Sequence, residues 1–389
     1  MAGLRVAFVS TYPPIHCGVG EYTRMLLSAM SEREPGLEPL VLAEAGVGGG
    51  YRDEPSGALV VPSFRQADPS SLRGVVDRLQ EYGPVDVIHV QHEYGIFGRG
   101  DEIVRVADEA RRERLARAVV FTMHTVYHPL TADHGEDRVQ DAVLSEADGV
   151  IVHSAQQEFE LHAQLGGYPS NLHRIPHGTS VNPYLSTPRR VLARRLGLEG
   201  ALEGRMVLSL VGFIRPDKGL DTLLEALEEL DAGDRLAVIV GGEVRDERLA
   251  SQLEEARGHG LLVVPRYLST EEILMVAAAS DAIVLPYRDP PGKYAVSGIL
   301  HLSMGSLKPI IGSNVPRLAE LYTLAPRLVF RAGDPWDLAE HLRRLLDPAT
   351  YDLLVTYASP LYSYAVRTGW PRVAGRHLRL YRRILKRAS

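Results

Sequence analysis

The chain has 389 residues, 45% of them hydrophobic and 24% charged, with a formal net charge of -6. That length exceeds one ordinary core, so two domains are expected, and the acidic balance argues against a generic nucleic-acid binder. A single cysteine, Cys17, excludes a disulfide within the chain and a zinc site built on cysteines.

Residues 4–10 form an apolar run, the mark of a strand buried on both faces. The run is too short for the core of a secretion signal, and no apolar stretch reaches the length of a membrane span, so a cytoplasmic protein is expected. Pro13, Pro14 and the stretch Gly18-Val19-Gly20 read as a turn before a helix over 21–30. Val41 and Leu42 mark a second strand, and the glycine-rich residues 46–57 read as a loop. Leu72, Val75, Val76 and Leu79 predict a helix over 71–82. A strand is expected over 85–90, a highly charged helix over 102–117, and a strand over 118–123 that ends at His124. Strands over 149–152 and 172–176 complete the first half.

Pro183 and Pro188 place a linker at 181–187, ahead of a helix over 189–196. The second half predicts strands at 207–211, 236–240, 261–264, 282–285, 309–311 and 328–330, with helices between them. Strands alternating with helices predict α/β architecture with parallel sheets. Two doubly wound Rossmann-like domains are expected, over 1–180 and 181–365, facing across a cleft with ligands at the carboxyl ends of the strands. The tail 366–389 is expected to pack back toward the first domain. Its stripe of Val373, His377, Leu380, Tyr381 and Leu385 is ringed by arginines. A helix packed on the body with a solvated basic face is favoured over contact with an anionic membrane.

The stretch 206–220 organises the rest. An apolar strand breaks at Gly212, passes Arg215-Pro216-Asp217-Lys218-Gly219 and becomes helical at Leu220, with Leu223, Leu224 and Leu227 on one face. Two cations and the amides of a helix start favour an anion there; a plain surface loop with ordinary charges is the competing reading.

These motifs together resemble family 4 glycosyltransferases of GT-B architecture. The resemblance rests on Ser10-Thr11-Tyr12-Pro13-Pro14 with Cys17-Gly18-Val19-Gly20, Gln91-His92-Glu93-Tyr94-Gly95, Phe121-Thr122-Met123-His124, Arg174-Ile175-Pro176-His177-Gly178, the 212–219 loop, Ser280-Asp281-Ala282 and Lys308-Pro309. It implies a retaining transfer of a hexosyl group from a nucleoside-diphosphate sugar, with GDP-mannose the first guess and UDP-glucose the second. The acceptor is then a hydroxyl on a glycan, a lipid-linked sugar or a small molecule. It implies that Arg215 and Lys218 hold the leaving phosphate and that His124 contacts the transferred sugar. Gly18, Gly20, Gly212, Arg266, Tyr267, Tyr294, Ser297 and Gly298 fall to the donor. His16, His92 and Glu93 fall to the acceptor side. A guanidinium, an ammonium and backbone amides can stabilise a leaving diphosphate without a metal, and no Asp-x-Asp motif is present. A metal cluster of His124, His128 and His134 is a minor alternative. No cofactor and no nucleic-acid partner are expected; a place at the inner face of a membrane hangs on the basic tail.

The pattern departs from the family at one place. The two glutamates that usually contact sugar and ribose align with Tyr294 and Leu302; Asp289, Glu243 and Glu320 are candidate substitutes. Arg215 also lies three residues before Lys218, whereas many members carry an arginine at the position of Phe213. The missing carboxylates keep a non-catalytic sugar-nucleotide or glycan binder open as the alternative function. A GT-B epimerase is disfavoured for the same reason.

Overall fold

The computed structural model describes residues 3–132, 135–230, 232–256 and 260–387. The chain divides into two units. The first comprises Met1–Gly178, Pro291–Val296 and Trp370–Ser389, the second Thr179–Pro290 and Ser297–Gly369.

The first unit is built on an eight-stranded sheet. Its strands are β1 (Leu4–Ser10), β2 (Leu37–Glu44), β3 (Tyr51–Asp53), β4 (Ala58–Phe64), β5 (Val85–His92) and β6 (Ala116–Met123). After β7 (Thr125–Tyr127), which lies outside this sheet, β8 (Gly149–Val152) and β9 (Leu172–Arg174) complete it. The order is β3-β4-β2-β1-β5-β6-β8-β9, parallel throughout except for β3 against β4. Glycine-rich composition over 46–57 hid β3, which pairs along Tyr51↔Val60 and Asp53↔Ala58. The order reverses direction at β1 and β5, so the loops after those strands open at one crevice.

One face of this sheet is covered by the helices Arg73–Tyr82 and Glu102–Arg112, with Val75, Leu79, Ile103 and Ala107 in the core. The other is covered by the helix Gly18–Arg33 and the C-terminal helix Trp370–Arg387. Val373, Leu380, Tyr381 and Ile384 of that last helix are buried with Val6, Phe8 and Leu26. The basic tail is therefore part of the first unit's core.

The second unit has the strands β10 (Met206–Val211), β11 (Leu236–Gly241), β12 (Leu261–Val264) and β13 (Ala282–Leu285). Further on, β14 (Lys293–Ala295) leaves this unit, and β15 (Ile310–Ser313) and β16 (Val329–Phe330) return to it. The six-stranded order is β12-β11-β10-β13-β15-β16, all parallel. This is the doubly wound 3-2-1-4-5-6 order, with its switch point where β10 meets β13. β10 is buried from Val207 onward and apolar apart from Ser209, as suits a strand covered on both faces.

The sequence reading placed 291–296 in the second domain. Instead β14 pairs antiparallel with β7, through Lys293↔Tyr127, Tyr294↔Val126 and Ala295↔Thr125. No helix among the described residues is long and apolar enough to cross a membrane.

Candidate active site

In the second unit, three strand ends supply one polar cluster. β10 stops at Val211, and Gly212 follows with φ 110°. Pro216–Lys218 make a short turn, closed by Gly219 in the left-handed region at φ 66°. A Cβ on Gly219 would run into the Pro286 carbonyl, so only glycine lets this loop lie against the end of β13. The helix Leu220–Leu230 starts at once, which aims its free amides and positive dipole end at the same loop.

The Lys218 ammonium lies 3.9 Å from the centre of the Tyr287 ring, a cation–π distance. Withdrawal from water, reinforced by the Arg317 charge, pushes the Lys218 pKa well below the usual lysine value. An arriving anion would favour its charged form.

Asp217, beside Lys218, is the hub. Its carboxylate lies 3.1 Å from Arg215 Nε and 2.6 Å from Arg317 Nη1. Burial alone would raise the Asp217 pKa, but hydrogen bonding and charge from Arg317, with Lys218 and Arg215 behind them, hold it down at about 2. Arg317, from the loop after β15, also pairs with Asp289 in the loop after β13. The Arg317 carbonyl accepts the Ser297 N–H at 3.2 Å. Ser297 in turn caps the helix Gly298–Ser303, its Oγ accepting from the Leu300 N–H at 3.2 Å. Arg317 thus ties together three loops, one after each of β10, β13 and β15. Sequence reasoning missed it, because nothing within its own segment marks it.

Toward β11 and β12, Phe213 lies under the Arg245 guanidinium at 4.1 Å and 5.9 Å from the Tyr267 ring. Arg245 thus brings a cation over the very residue that replaces the family's usual arginine. Arg266 is exposed and held by Glu272 at 2.5 Å. Of the proposed carboxylate substitutes, Asp289 is bound to Arg317 and Glu243 lies 3.0 Å from Arg245. Glu320 is largely buried, 3.8 Å from His301 Nε2. Leu302 is only 7% exposed.

In the first unit, His124 follows β6 and is 8% exposed. Its carbonyl accepts from Gln157 Nε2 at 3.0 Å, and the same amide lies 3.3 Å from the Tyr294 carbonyl. Tyr294 therefore belongs beside His124 in this unit, through strand pairing that no local pattern announces. His124 Nε2 lies 2.9 Å from Gln91 Oε1. The Gln91 amide nitrogen points to His89 Nε2 at 3.2 Å, and His89 Nδ1 meets the Tyr381 hydroxyl at 2.6 Å. Burial drives the His89 and His124 pKa values well below the usual histidine range, with neighbouring imidazoles adding to it. Both rings are then neutral and carry one proton each. With the amide oriented in this way, His124 donates from Nε2, which leaves Nδ1 as an acceptor. His89 donates from Nδ1 to Tyr381. A chain of donors thus runs from His124 through Gln91 and His89 to Tyr381 on the C-terminal helix.

His92, expected on the acceptor side, is turned into the core. It is fully buried, stacked on Phe97 at 5.9 Å and edge-on to Tyr94 at 4.9 Å, with neither ring nitrogen hydrogen-bonded. Burial pushes its pKa down to about 4. Alternation along β5 explains this: Gln91 shares a face with His89, and His92 turns the other way. Glu93 is half-buried and accepts from Thr125 Oγ1 at 2.7 Å. His16, in the loop after β1, and Gly18, at the start of the helix that follows, are exposed. Gly20 packs on the chain itself, where a Cβ would sit 3.2 Å from the Thr11 carbonyl oxygen. Tyr22, on the same helix, places its ring about 5 Å from those of His124, His153 and His177. Of the three-histidine metal alternative, His134 lies outside the described residues. His128 takes the Leu130 N–H on Nδ1 at 3.1 Å.

The chain matches known proteins over most of its length. Residues 17–182 match the family model described as Glycosyltransferase Family 4, and residues 205–348 match that of Glycosyl transferases group 1. The chain belongs to glycosyltransferase family 4. A D-inositol 3-phosphate glycosyltransferase of Geodermatophilus obscurus is 29% identical over 226 residues, 53% of this chain. That match spans 48%, about half, of the relative's length. A second enzyme of that name, from Catenulispora acidiphila, is 25% identical over 336 residues, covering 80% of this chain and 73% of the relative. Among solved structures, the Anabaena protein Alr3699/HepE in complex with UDP and glucose superposes with a TM-score of 0.74 at 16% identity, covering 97% of this chain and 98% of that one. The sucrose-phosphate synthase of Thermosynechococcus elongatus gives 0.76 at 20% identity, covering 99% and 100%. These likenesses establish the GT-B fold for this family member.

Proposed function

We propose that this family 4 protein is a retaining, metal-independent hexosyltransferase. It moves a hexosyl group from a nucleoside-diphosphate sugar to a hydroxyl on a glycan, a lipid-linked sugar or a small molecule. The observation that supports the reading is the loop after β10, where Lys218, Arg215 and a helix start converge, a combination suited to the charge that develops on a leaving diphosphate. In this reading Arg317 sets the loop's shape, and Arg245, Phe213 and Tyr267 line the nucleoside end. His124 accepts a hydrogen bond from a sugar hydroxyl on its free Nδ1. The departing phosphate takes the acceptor's proton during front-face attack, so no protein base is required.

GDP-mannose and UDP-glucose remain the first and second donor choices. The relatives' name adds phosphorylated inositol to the acceptors to be tried. The test is nucleotide release from a panel of GDP-, UDP-, ADP- and dTDP-sugars, with and without acceptors, in chelator. Release that depends on one donor and is lost in Lys218→Ala supports the proposal; unchanged turnover in that variant refutes it.

The second reading is a non-catalytic sugar-nucleotide or glycan binder. Its motive is that Leu302 is buried and Asp289 is occupied by Arg317, so neither usual glutamate has an evident replacement. Ligand-dependent thermal stabilisation without turnover on any acceptor would favour it.

A further inference from the structure

The C-terminal helix Trp370–Arg387 has two unlike faces. Inward, Tyr381 reaches His89. Outward, seven basic side chains between positions 372 and 387 are exposed. Midway along, Arg33, Glu34, Gly375, Leu378, Arg379 and Arg382 line an open groove of about 480 Å³. Glu34 is the only carboxylate among them, and it is paired with Arg382.

Arg33 and Arg379 have no hydrogen bond or ion pair among the described residues. Both nevertheless end over the same bare backbone. A Cβ at Gly375 would lie 2.8 Å from Arg33 Nε and 3.4 Å from Arg379 Nη1. Glycine inside a helix is less favourable than alanine, and here it leaves room for two guanidiniums to converge. Two like charges side by side repel unless an anion lies between them. The field extends along the helix: His173 is held in its neutral form first by burial and then by Arg383 and Arg387.

We propose that this groove is a phosphate-binding site, with the oxyanion held between Arg33 and Arg379 and Arg382 at the rim. Paired guanidiniums suit the two acceptor edges of a phosphate. The chemistry is shared by a free phosphate group and by the phosphodiester of an anionic lipid headgroup. The site has no residue in common with the Lys218 loop or with His124.

The test uses the full chain, the variant R33Q/R379Q, and Lys218→Ala as the control for phosphate bound at the other cation cluster. One arm measures thermal shift in inorganic phosphate against chloride at equal ionic strength. The other measures co-sedimentation with vesicles of 30% phosphatidylglycerol in phosphatidylcholine, against phosphatidylcholine alone, at about 0.1 M salt. A phosphate-induced shift that survives Lys218→Ala and disappears in R33Q/R379Q identifies a soluble phosphate ligand. Vesicle binding that falls about twenty-five- to thirtyfold in the double variant, near fivefold per arginine, identifies a headgroup. Gly375→Ala, which fills the floor but keeps every charge, should weaken the phosphate shift more than the vesicle binding. Both exchanged arginines are exposed, so the double variant should melt at or above the wild-type temperature without anion. Failure of both probes to bind the wild type, or equal binding by R33Q/R379Q, overturns the proposal.

Discussion

Replacing Arg317 by methionine removes the charge at the centre of the second unit's polar cluster and keeps most of the bulk. Its side chain is 11% exposed, and those of its partners Asp217 and Asp289 are 31% and 5% exposed. The variant leaves two carboxylates with little water and only Lys218 and Arg215 as counter-charge. Stranding one partner of a buried ion pair costs about 3–5 kcal/mol. Titration gives a second figure: the Asp217 pKa falls from 3.8 to about 2 in the folded protein, which is worth roughly 2 kcal/mol for that carboxylate. The two agree best near the lower end, about 3 kcal/mol. For a unit of this size that lowers the melting temperature by roughly 6–12 °C.

The sign of the pH dependence is a stricter check. A depressed carboxylate stabilises the fold fully above its unfolded pKa, and the contribution is lost as pH falls through its folded value. The wild type therefore loses stability below about pH 4 on this account, whereas the variant has little left to lose. The gap between them should narrow from pH 7 to pH 3, and calorimetry at pH 7, 4 and 3 measures it. A drop smaller than about 2 °C at pH 7, or a gap that does not change with acid, would refute the clamp. Arg317→Lys should recover little, because an ammonium cannot bridge two carboxylates as the planar fork does.

Three further outcomes are expected. Because Lys218 is held below its usual pKa, binding of a nucleoside diphosphate at pH 8.5 should take up protons. Calorimetry in two buffers of different ionisation heat measures this; Lys218→Met abolishes it, and zero uptake in the wild type contradicts the lowered lysine pKa. Gln91→Leu should cut turnover by roughly tenfold or more through loss of the His124 orientation, whereas His92→Phe should leave turnover near wild type. The opposite ranking would place the acceptor-side role back on His92. Buried neutral histidines make the first unit acid-sensitive: a histidine whose folded pKa lies below its unfolded value loses its contribution as pH falls below about 6.5. His92 and His377, both lowered to about 4 chiefly by burial, should together cost about 4 kcal/mol at pH 5. A denaturation midpoint equal at pH 7 and pH 5 would exclude it.

The two sheets were legible because parallel strands covered on both faces read as apolar runs, as in β1, β6 and β10. The same property hid part of the site. In β5 both faces are apolar, through Val85, Val87, Ile88 and Val90, so alternation vanishes and the parity of Gln91 and His92 cannot be read. Two neighbouring polar residues at a strand end look alike until the strand is placed. Short elements whose partners are remote in sequence were hidden for another reason. β7 and β14 have three residues each and find each other across more than 160 positions, so neither carries a pattern of its own. Arg317 and Asp289 belong to the same class, since their pairing exists only once β13 and β15 lie side by side.

The departures from the family pattern differ once they are set on the fold. Phe213 stands where many members have arginine, and Arg245, from the end of the next strand β11, lies over its ring. The aligned glutamate positions hold Tyr294 and Leu302, while the nearest buried acid, Asp289, comes from the end of β13 and is neutralised by an arginine from the end of β15. In the first case the cation comes from the loop of the adjoining strand; in the second the acid is itself held by the loop of an adjoining strand and replaces neither glutamate. Parallel strands make both arrangements available, because all their carboxyl ends open on one side. Under the proposed function, Lys218 then stays the one cation that cannot be re-sourced. Its position is set by Gly219 against the Pro286 carbonyl and by the Tyr287 ring beneath it, and no adjoining loop offers a second ammonium, since the other lysines of this unit reduce to Lys308, which precedes β15 at the opposite end of the strand.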